Sequence, residues 1–307
     1  MYMLVFEQIS LSLKEKVDKY YFKYGEGSCQ HSFTTSFCFN TKYDDRFCEK
    51  DSFLYILRYG LCNDAYRTYL FPMGEKTDKS LVKKAIETII EDAHSHNKKV
   101  MFNSITESSK NIIEELFKDR FVIEEKRDLY EYIYSAEDLG YLKGSKYYTK
   151  RNEVSSFIRK YEDKLDIRKI ESCDVENIKK LSSVWMQQDI TRCNDIQLIT
   201  ENKALNIAFE NYDKLGIIGL VVYIDKDLAG FIIGVKLNDE SIDAMIEKGN
   251  VKYKGIYKVL NKEFSRICCE GYKFVNLEED LGVEGLRNMK LLYHPVDFIK
   301  KYVATEV

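Results

Sequence analysis

The sequence is short of several things: it has two prolines and one tryptophan in 307 residues, and its eight cysteines include no Cys-x-x-Cys pair. It also lacks a strong charge excess, with 47 basic against 50 acidic residues, and an apolar stretch of bilayer length. Each shortage excludes something. With so little proline and with 45% apolar and 13% aromatic residues, the chain is globular rather than disordered or fibrous. The scattered cysteines argue against a zinc site or a disulfide framework, so no metal is expected and the protein is read as reduced and cytoplasmic. Cys29 and His31 could in principle join Cys38 as metal ligands but are read as ordinary packing or surface positions, and His94 and His96, two apart on a helix, point to different sides. Balanced charge excludes a generic DNA-coating protein but leaves room for a local basic patch that meets RNA or phosphate. The longest apolar stretches, 216–224 and 228–237, reach about half of the ~20 residues that span a bilayer and read as buried strands. The first lysine is Lys14, so the start lacks the basic then apolar pattern of an export leader, and a soluble protein is expected.

What is present is a regular succession of elements long enough for two units. The first half reads as a short strand at 6–9, a helix at 12–24, strands at 33–39, 53–59 and 66–71, a helix at 78–97, a strand at 100–103, a helix to about 117 and a strand at 122–134. In the 78–97 helix, Leu81, Val82, Ala85, Ile86, Ile89, Ile90 and Ala93 recur at helical spacing. The second half repeats that grammar. A strand at 165–170, helices after Asp174 and at 201–212, three adjacent antiparallel strands at 216–224, 228–237 and 241–247, a helix at 257–270, a strand at 273–277, a helix at 283–292 and a strand at 297–303 follow in turn. Between the halves, 144–163 is a helical segment rich in lysine and arginine. The expectation is an α/β (α+β) protein with units at 1–143 and 164–307 and a basic connector at 144–163. Each unit would hold a mixed, largely antiparallel sheet flanked by helices, in the order of an N-acyltransferase of the GNAT type. Topology alone says little about chemistry.

Three stretches could carry chemistry. Strand alternation over 274–278 puts Asn276 and Glu278 on one face, at the carboxyl end of a strand where open α/β sheets hold ligands. Asp280 beyond them also suits a helix N-cap, and Glu284 and Arg287 also suit a surface pair. Gly285 inside the following helix costs about 1 kcal/mol relative to alanine, which a close backbone or ligand approach would explain. A carboxylate beside an amine could take its proton, while Arg287 or Lys290 could meet a carboxylate, phosphate or oxyanion, which suits acyl transfer to an amine or hydroxyl. The second stretch, 143–152 with Lys150, Arg151 and Asn152, interleaves basic residues with tyrosines and reads as a polyanion surface or a solvated helix. The third, 247–255, is a glycine-containing loop from Glu247 to Lys254 and Gly255 at the start of a helix, where free amides can hold an anion.

Together, 144–152 and Asn276-Leu277-Glu278-Glu279-Asp280-Leu281-Gly282-Val283-Glu284-Gly285-Leu286-Arg287, with Lys290, Tyr293 and Pro295, resemble the phosphatidylglycerol lysyltransferase C-terminal domain family across nearly the whole chain. The resemblance implies tandem GNAT-type units and a transferase ancestry whose best-known members move an aminoacyl group from tRNA to a lipid headgroup. The loop before Gly255 departs from the Gln/Arg-x-x-Gly-x-Gly/Ala pattern with which acetyltransferases grip pyrophosphate. The expectation is a soluble transferase that moves an aminoacyl or acyl group onto a small-molecule amine or hydroxyl acceptor. Glu278, Asp280 and Arg287 would be catalytic; Asn276, Glu247, Lys290 and Tyr293 would bind the acceptor. Lys150, Arg151, Asn152, Lys254 and Gly255 would hold the donor, aminoacyl-tRNA or acyl-CoA, with no covalently bound cofactor; tRNA is a candidate partner and DNA is not. The rival is a noncatalytic GNAT-like module that binds a small ligand or a protein. Oligomeric state is left open.

Overall fold

The computed structural model describes residues 4–190 and 196–307. Its backbone contacts divide into two compact units that are not the contiguous halves expected from the sequence. Unit one is Met1–Glu131, Glu279–Glu284 and Phe298–Val307; unit two is Tyr132–Glu278 and Gly285–Asp297.

Along the chain run β1 (Glu7–Gln8), α1 (Lys14–Tyr24), α2 (Phe33–Cys38), α3 (Asn40–Tyr43), β2 (Asp45–Lys50), β3 (Phe53–Arg58), β4 (Tyr66–Tyr69), α4 (Lys79–Ser95), β5 (Lys99–Ile105), α5 (Glu107–Leu116), β6 (Phe121–Glu125) and β7 (Glu131–Ser135). Next come α6 (Ala136–Tyr141), α7 (Tyr148–Tyr161), β8 (Leu165–Lys169), α8 (Val175–Ile190), α9 (Ile196–Glu210), α10 (Tyr212–Leu215), β9 (Ile218–Ile224), β10 (Asp227–Lys236), β11 (Ser241–Gly249), α11 (Ile256–Ile267), β12 (Phe274–Asn276), α12 (Glu284–Leu291), β13 (Asp297–Ile299) and β14 (Tyr302–Glu306).

The two seven-stranded sheets have one design. The first is ordered β1-β2-β3-β4-β5-β14-β6 and the second β13-β7-β12-β11-β10-β9-β8. In each, a run of antiparallel neighbours meets one parallel pair, β4 with β5 and β11 with β12. In each, the place between the last two strands is filled from the other half of the chain: β14 stands between β5 and β6, and β7 between β12 and β13. The fold is therefore the expected pair of mixed sheets flanked by helices, with one strand exchanged.

The exchange explains why 122–134 is not one strand. A turn at Arg127–Leu129 interrupts it, β6 pairs with β14, and β7 pairs with β12. Two further expectations are corrected. Residues 33–39 form α2, not a strand, because the Ser32 side chain accepts from the Thr35 amide at 3.2 Å and caps a helix whose Phe33, Thr34, Thr35, Ser36 and Cys38 are all buried. The edge-side strand β2 was not foreseen. The basic segment at 144–163 is no free connector either: α7 lies within unit two with Val154 and Phe157 buried, and Glu153 pairs with Lys258 of α11 at 2.5 Å.

In unit one, α4 packs Val82, Ala85, Ile86, Ile89, Ile90 and Ala93 against the sheet, as the spacing predicts, while Leu81 is exposed. Asp78 caps it through the amides of Ser80 and Leu81 at 2.9 and 3.3 Å. Each large aliphatic group so buried contributes about 1.5–3 kcal/mol. In unit two, α11 buries Ile256, Val259, Leu260 and Phe264 against the second sheet and lies close along α6. A Cβ on Gly140 would stand 3.1 Å from the Arg266 amide nitrogen, so the small residue sets that approach. Among the described residues, no helix is long and apolar enough to cross a membrane.

Candidate functional site

The chemistry-bearing groups of unit two gather where β11 and β12 part. The two strands pair in parallel at only three positions, ending at Asp243 opposite Asn276. β11 then runs on to Gly249, held on its other side by β10, where Ile232 faces Glu247. β12 instead turns away. Its departure is fixed by three contacts: the Leu277 amide donates to the Tyr132 carbonyl at 3.0 Å, the Glu278 amide donates to Asn276 Oδ1 at 2.8 Å, and Glu278 adopts a left-handed φ of 56°. Lys290 Nζ from α12 donates to the carbonyls of both Leu277 and Glu278. A parallel pair that splays in this way leaves β11 with an edge beside which a substrate can lie.

Glu247 stands on that edge. It is half-buried, and Asn261 Nδ2 of α11 donates to its Oε1 at 2.7 Å. Burial pushes the carboxyl up to about 8 against the smaller opposing effects of the Asn261 bond and the charges of Lys290 and Lys248. Lys248 has its own carboxylate partner, Glu201 of α9. Tyr293, buried just after α12, is held above the usual tyrosine range by burial, then by the charges of Glu247 and Glu153. Lys150 lies over the Tyr293 ring, 4.7 Å from its centroid, and donates to the Leu292 carbonyl. Burial and the neighbouring Lys258 depress its ammonium. Four of the expected residues, Glu247, Lys290, Tyr293 and Lys150, are thus linked in one neighbourhood. Asn261 was missed by the sequence reading; the signal that could have found it is an amide on the apolar face of α11, beside Val259, Leu260 and Phe264.

The run 276–280, read from sequence as the centre of the site, is employed differently. Asn276 has no exposed surface and forms the turn that ends β12, so it does not present its amide to a ligand. Asp280 falls in unit one, with no exposed surface. Its Oδ1 accepts from the Gly282 amide at 2.9 Å and its Oδ2 from Arg127 at 3.2 Å. The role is that of a turn former and ion-pair partner, and the helix it was expected to cap starts later, at Glu284. Lys290 is buried, and its ammonium donates to the two carbonyls that follow β12. Arg287 is half-buried on α12. Gly285 needs no close approach, since an added Cβ would meet nothing within 4 Å. Arg151 braces the 142–144 turn through the carbonyls of Leu142 and Gly144, whereas Asn152 and Lys254 are exposed. Gly255 starts α11 at a φ of 99°, a left-handed conformation that suits glycine.

Unit one holds a second polar cluster that the sequence did not reveal. Glu131, fully buried, takes Lys301 Nζ at 2.6 Å, Ser28 Oγ at 2.8 Å and the Cys29 amide at 3.0 Å. Arg58, also buried, forks onto Asp45 at 2.9 and 3.1 Å and donates to Gln30, whose amide donates to Glu279 at 3.0 Å. Cys29, Glu131 and Glu279 bring one possible ligand atom each within 4.8 Å of one another. Each already has a protein partner, and Lys301 supplies the positive charge a cation would bring. Cys29 is buried; of the remaining cysteines, Cys193 lies outside the described residues.

Two mixed sheets of this order, each with one parallel pair, define a tandem GNAT-type fold. The chain belongs to the family of the phosphatidylglycerol lysyltransferase C-terminal region, matched over residues 21–305. It is similar to a solved conserved protein of unknown function from Bacteroides thetaiotaomicron, at 28% identity and a TM-score of 0.92, over 99% of this chain and all of that one. It also resembles the solved C-terminal domain of a protein named as a lysylphosphatidylglycerol synthetase from Agrobacterium fabrum, at 14% identity and a TM-score of 0.68, over 97% and 93% of the two chains. That second likeness shows the fold alone. Among curated proteins it is 26% identical over 175 residues to the uncharacterized protein MYCGA3080 of Mycoplasmoides gallisepticum. The match takes in 56% of this chain and 55% of that protein, so it spans about half the length of this relative. Family and fold together support a transferase-type function.

Proposed function

We propose that unit two is a transferase site that moves an aminoacyl or acyl group from an ester or thioester donor to an amine or hydroxyl acceptor, with Glu247 as its acid–base group. One observation carries the reading: the Glu247 carboxyl, held by Asn261, stands on β11 beyond its pairing with β12, where burial pushes it up to about 8 and so suits it to proton transfer at neutral pH. Tyr293 borders the acceptor, and Arg287 supplies positive charge beside it. Exposed Lys254 and the first turn of α11 at Gly255 suit the donor's phosphates, with Lys150 at the margin. Glu278 shapes the site through its backbone turn, a different role from the proton transfer its side chain suggested.

The test is transfer by purified protein from aminoacyl-tRNA and from acyl-CoA, each with a panel of amine and hydroxyl acceptors. Product with one donor class, reduced at least a hundredfold in Glu247→Gln, is expected. Binding without product from either donor would support a ligand-binding module instead.

A further inference from the structure

Asn261 carries a contradiction that Glu247 resolves. Its side chain is only 6% exposed, and its Nδ2 is fully used, donating to Glu247 Oε1 at 2.7 Å and to the Tyr257 carbonyl at 2.9 Å. A carbonyl can only accept, so the bond to Tyr257 fixes which end of the amide is nitrogen. The other end, Oδ1, is therefore a buried acceptor, and no donor among the described residues reaches it. A buried acceptor with no hydrogen to accept is costly and calls for a reason. Glu247 is the neighbour already bonded to the same amide. As a carboxylate it can only accept, and it would leave Oδ1 unsatisfied. As a carboxylic acid it has one O–H to give.

We propose that Asn261 is a positioning residue that holds Glu247 as a neutral acid through a paired contact, amide N–H to one carboxyl oxygen and carboxyl O–H to the amide oxygen. The site thus rests loaded with a proton. The groups that face Glu247 agree with this: Lys248 is paired with Glu201, Lys290 is turned to two backbone carbonyls, and Tyr293 keeps its own proton. The charges of Lys290 and Lys248 act on Glu247 in the opposite sense, and burial outweighs them.

Resting on the transferase reading above, this assigns Glu247 an order of events. The acceptor nitrogen or oxygen bonds to the donor's carbonyl carbon, and the bond from that carbon to the leaving oxygen or sulfur breaks. The leaving atom takes the proton from Glu247, and the resulting carboxylate takes the proton released by the acceptor. Protons balance, and Glu247 ends the turnover as it began, an acid on Asn261.

The test is infrared and carbon NMR spectroscopy of the full chain labelled with ¹³C at glutamate carboxyls, comparing the protein with Glu247→Gln to assign the signal. A carboxylic-acid C=O band should be present at pH 7 and give way to carboxylate with a midpoint near 8. In Asn261→Leu the acid band should move to higher frequency as the O–H loses its acceptor. An ionised Glu247 at pH 6, or a band unmoved in Asn261→Leu, overturns the proposal; the first measurement needs no variant at the asparagine to fold. Where transfer is measurable, its rate should fall rather than rise as pH passes 8. These spectra need no substrate, so they can fail while Glu247→Gln still abolishes transfer, and they can succeed on a protein that transfers nothing.

Discussion

In unit one Glu131 and Asp45 are buried against cations, whereas in unit two Glu247 is held by an amide. Glu131 with Lys301 and Asp45 with Arg58 are matched pairs with at most 2% side-chain exposure on either member, each held by further hydrogen bonds. Such pairs need no ligand; they tie the 28–31 segment to Lys301 beside β14, and β2 to β3. Glu247 is held by the Asn261 amide instead, and burial outweighs that bond and the charges of Lys290 and Lys248, pushing the carboxyl up to about 8. The same fold, used twice, has thus made one polar cluster structural and left the other fit for proton transfer. A residue that lowers stability in its resting place is a mark of function.

The largest expected effect is on the matched side. Lys301→Met should strand Glu131 without its counter-charge and destabilise the protein by about 3–5 kcal/mol in denaturant unfolding, while the double variant Lys301→Met with Glu131→Gln should recover much of that. Equal loss in single and double variants would show that the pair is not the cause. Next is pH dependence, in which the two units should oppose each other. His31 in unit one is depressed to about 4 by burial and then by Lys301, so it is neutral when folded. Its contribution is complete above its unfolded value of 6.5 and is lost as pH falls through 4, by about 3 kcal/mol. Calorimetry of His31→Gln should show a shallower acid limb. Glu247 has the reverse sign. Raised from 4.5 to about 8, it stabilises fully below 4.5 and loses that contribution as pH rises to 8.

Glu247→Gln should accordingly raise the melting temperature at pH 7, by the equivalent of about 1–3 kcal/mol, and flatten the profile between pH 5 and 8. A fall in stability would mean that Glu247 is matched after all and would erase the contrast between units. The smallest effect concerns Gly285. Gly285→Ala places its methyl in open space within the first turn of α12 and should add about 0.5–1 kcal/mol without changing transfer. Loss of transfer there would restore a ligand contact to that position.

Much of this was legible in the sequence. The periodic apolar residues of α4, the hairpin of β9 and β10, the doubled order of elements and the motifs that carry the family resemblance are all local pattern, whereas the meeting of Glu247, Lys290, Tyr293 and Lys150 in one neighbourhood is not. The reading of 276–280 as ligand groups was less sound because strand alternation states which side a residue lies on, not what covers it. Asn276 and Asp280 are both fully covered. The 33–38 helix was misread because cap geometry and burial on all sides overrode strand propensity.

By itself the sequence determined most of the elements and the doubled order of the sheets, which are written in spacings of a few residues, while the kind of protein came from the resemblance of its motifs to a family. Only the tertiary structure decided that β7 and β14 change places, that Lys301 meets Glu131, and that Glu247 meets Asn261 where β11 and β12 part. Those outcomes depend on contacts between residues far apart in the chain, and on how deeply each carboxyl is removed from water. Local pattern carries no record of either.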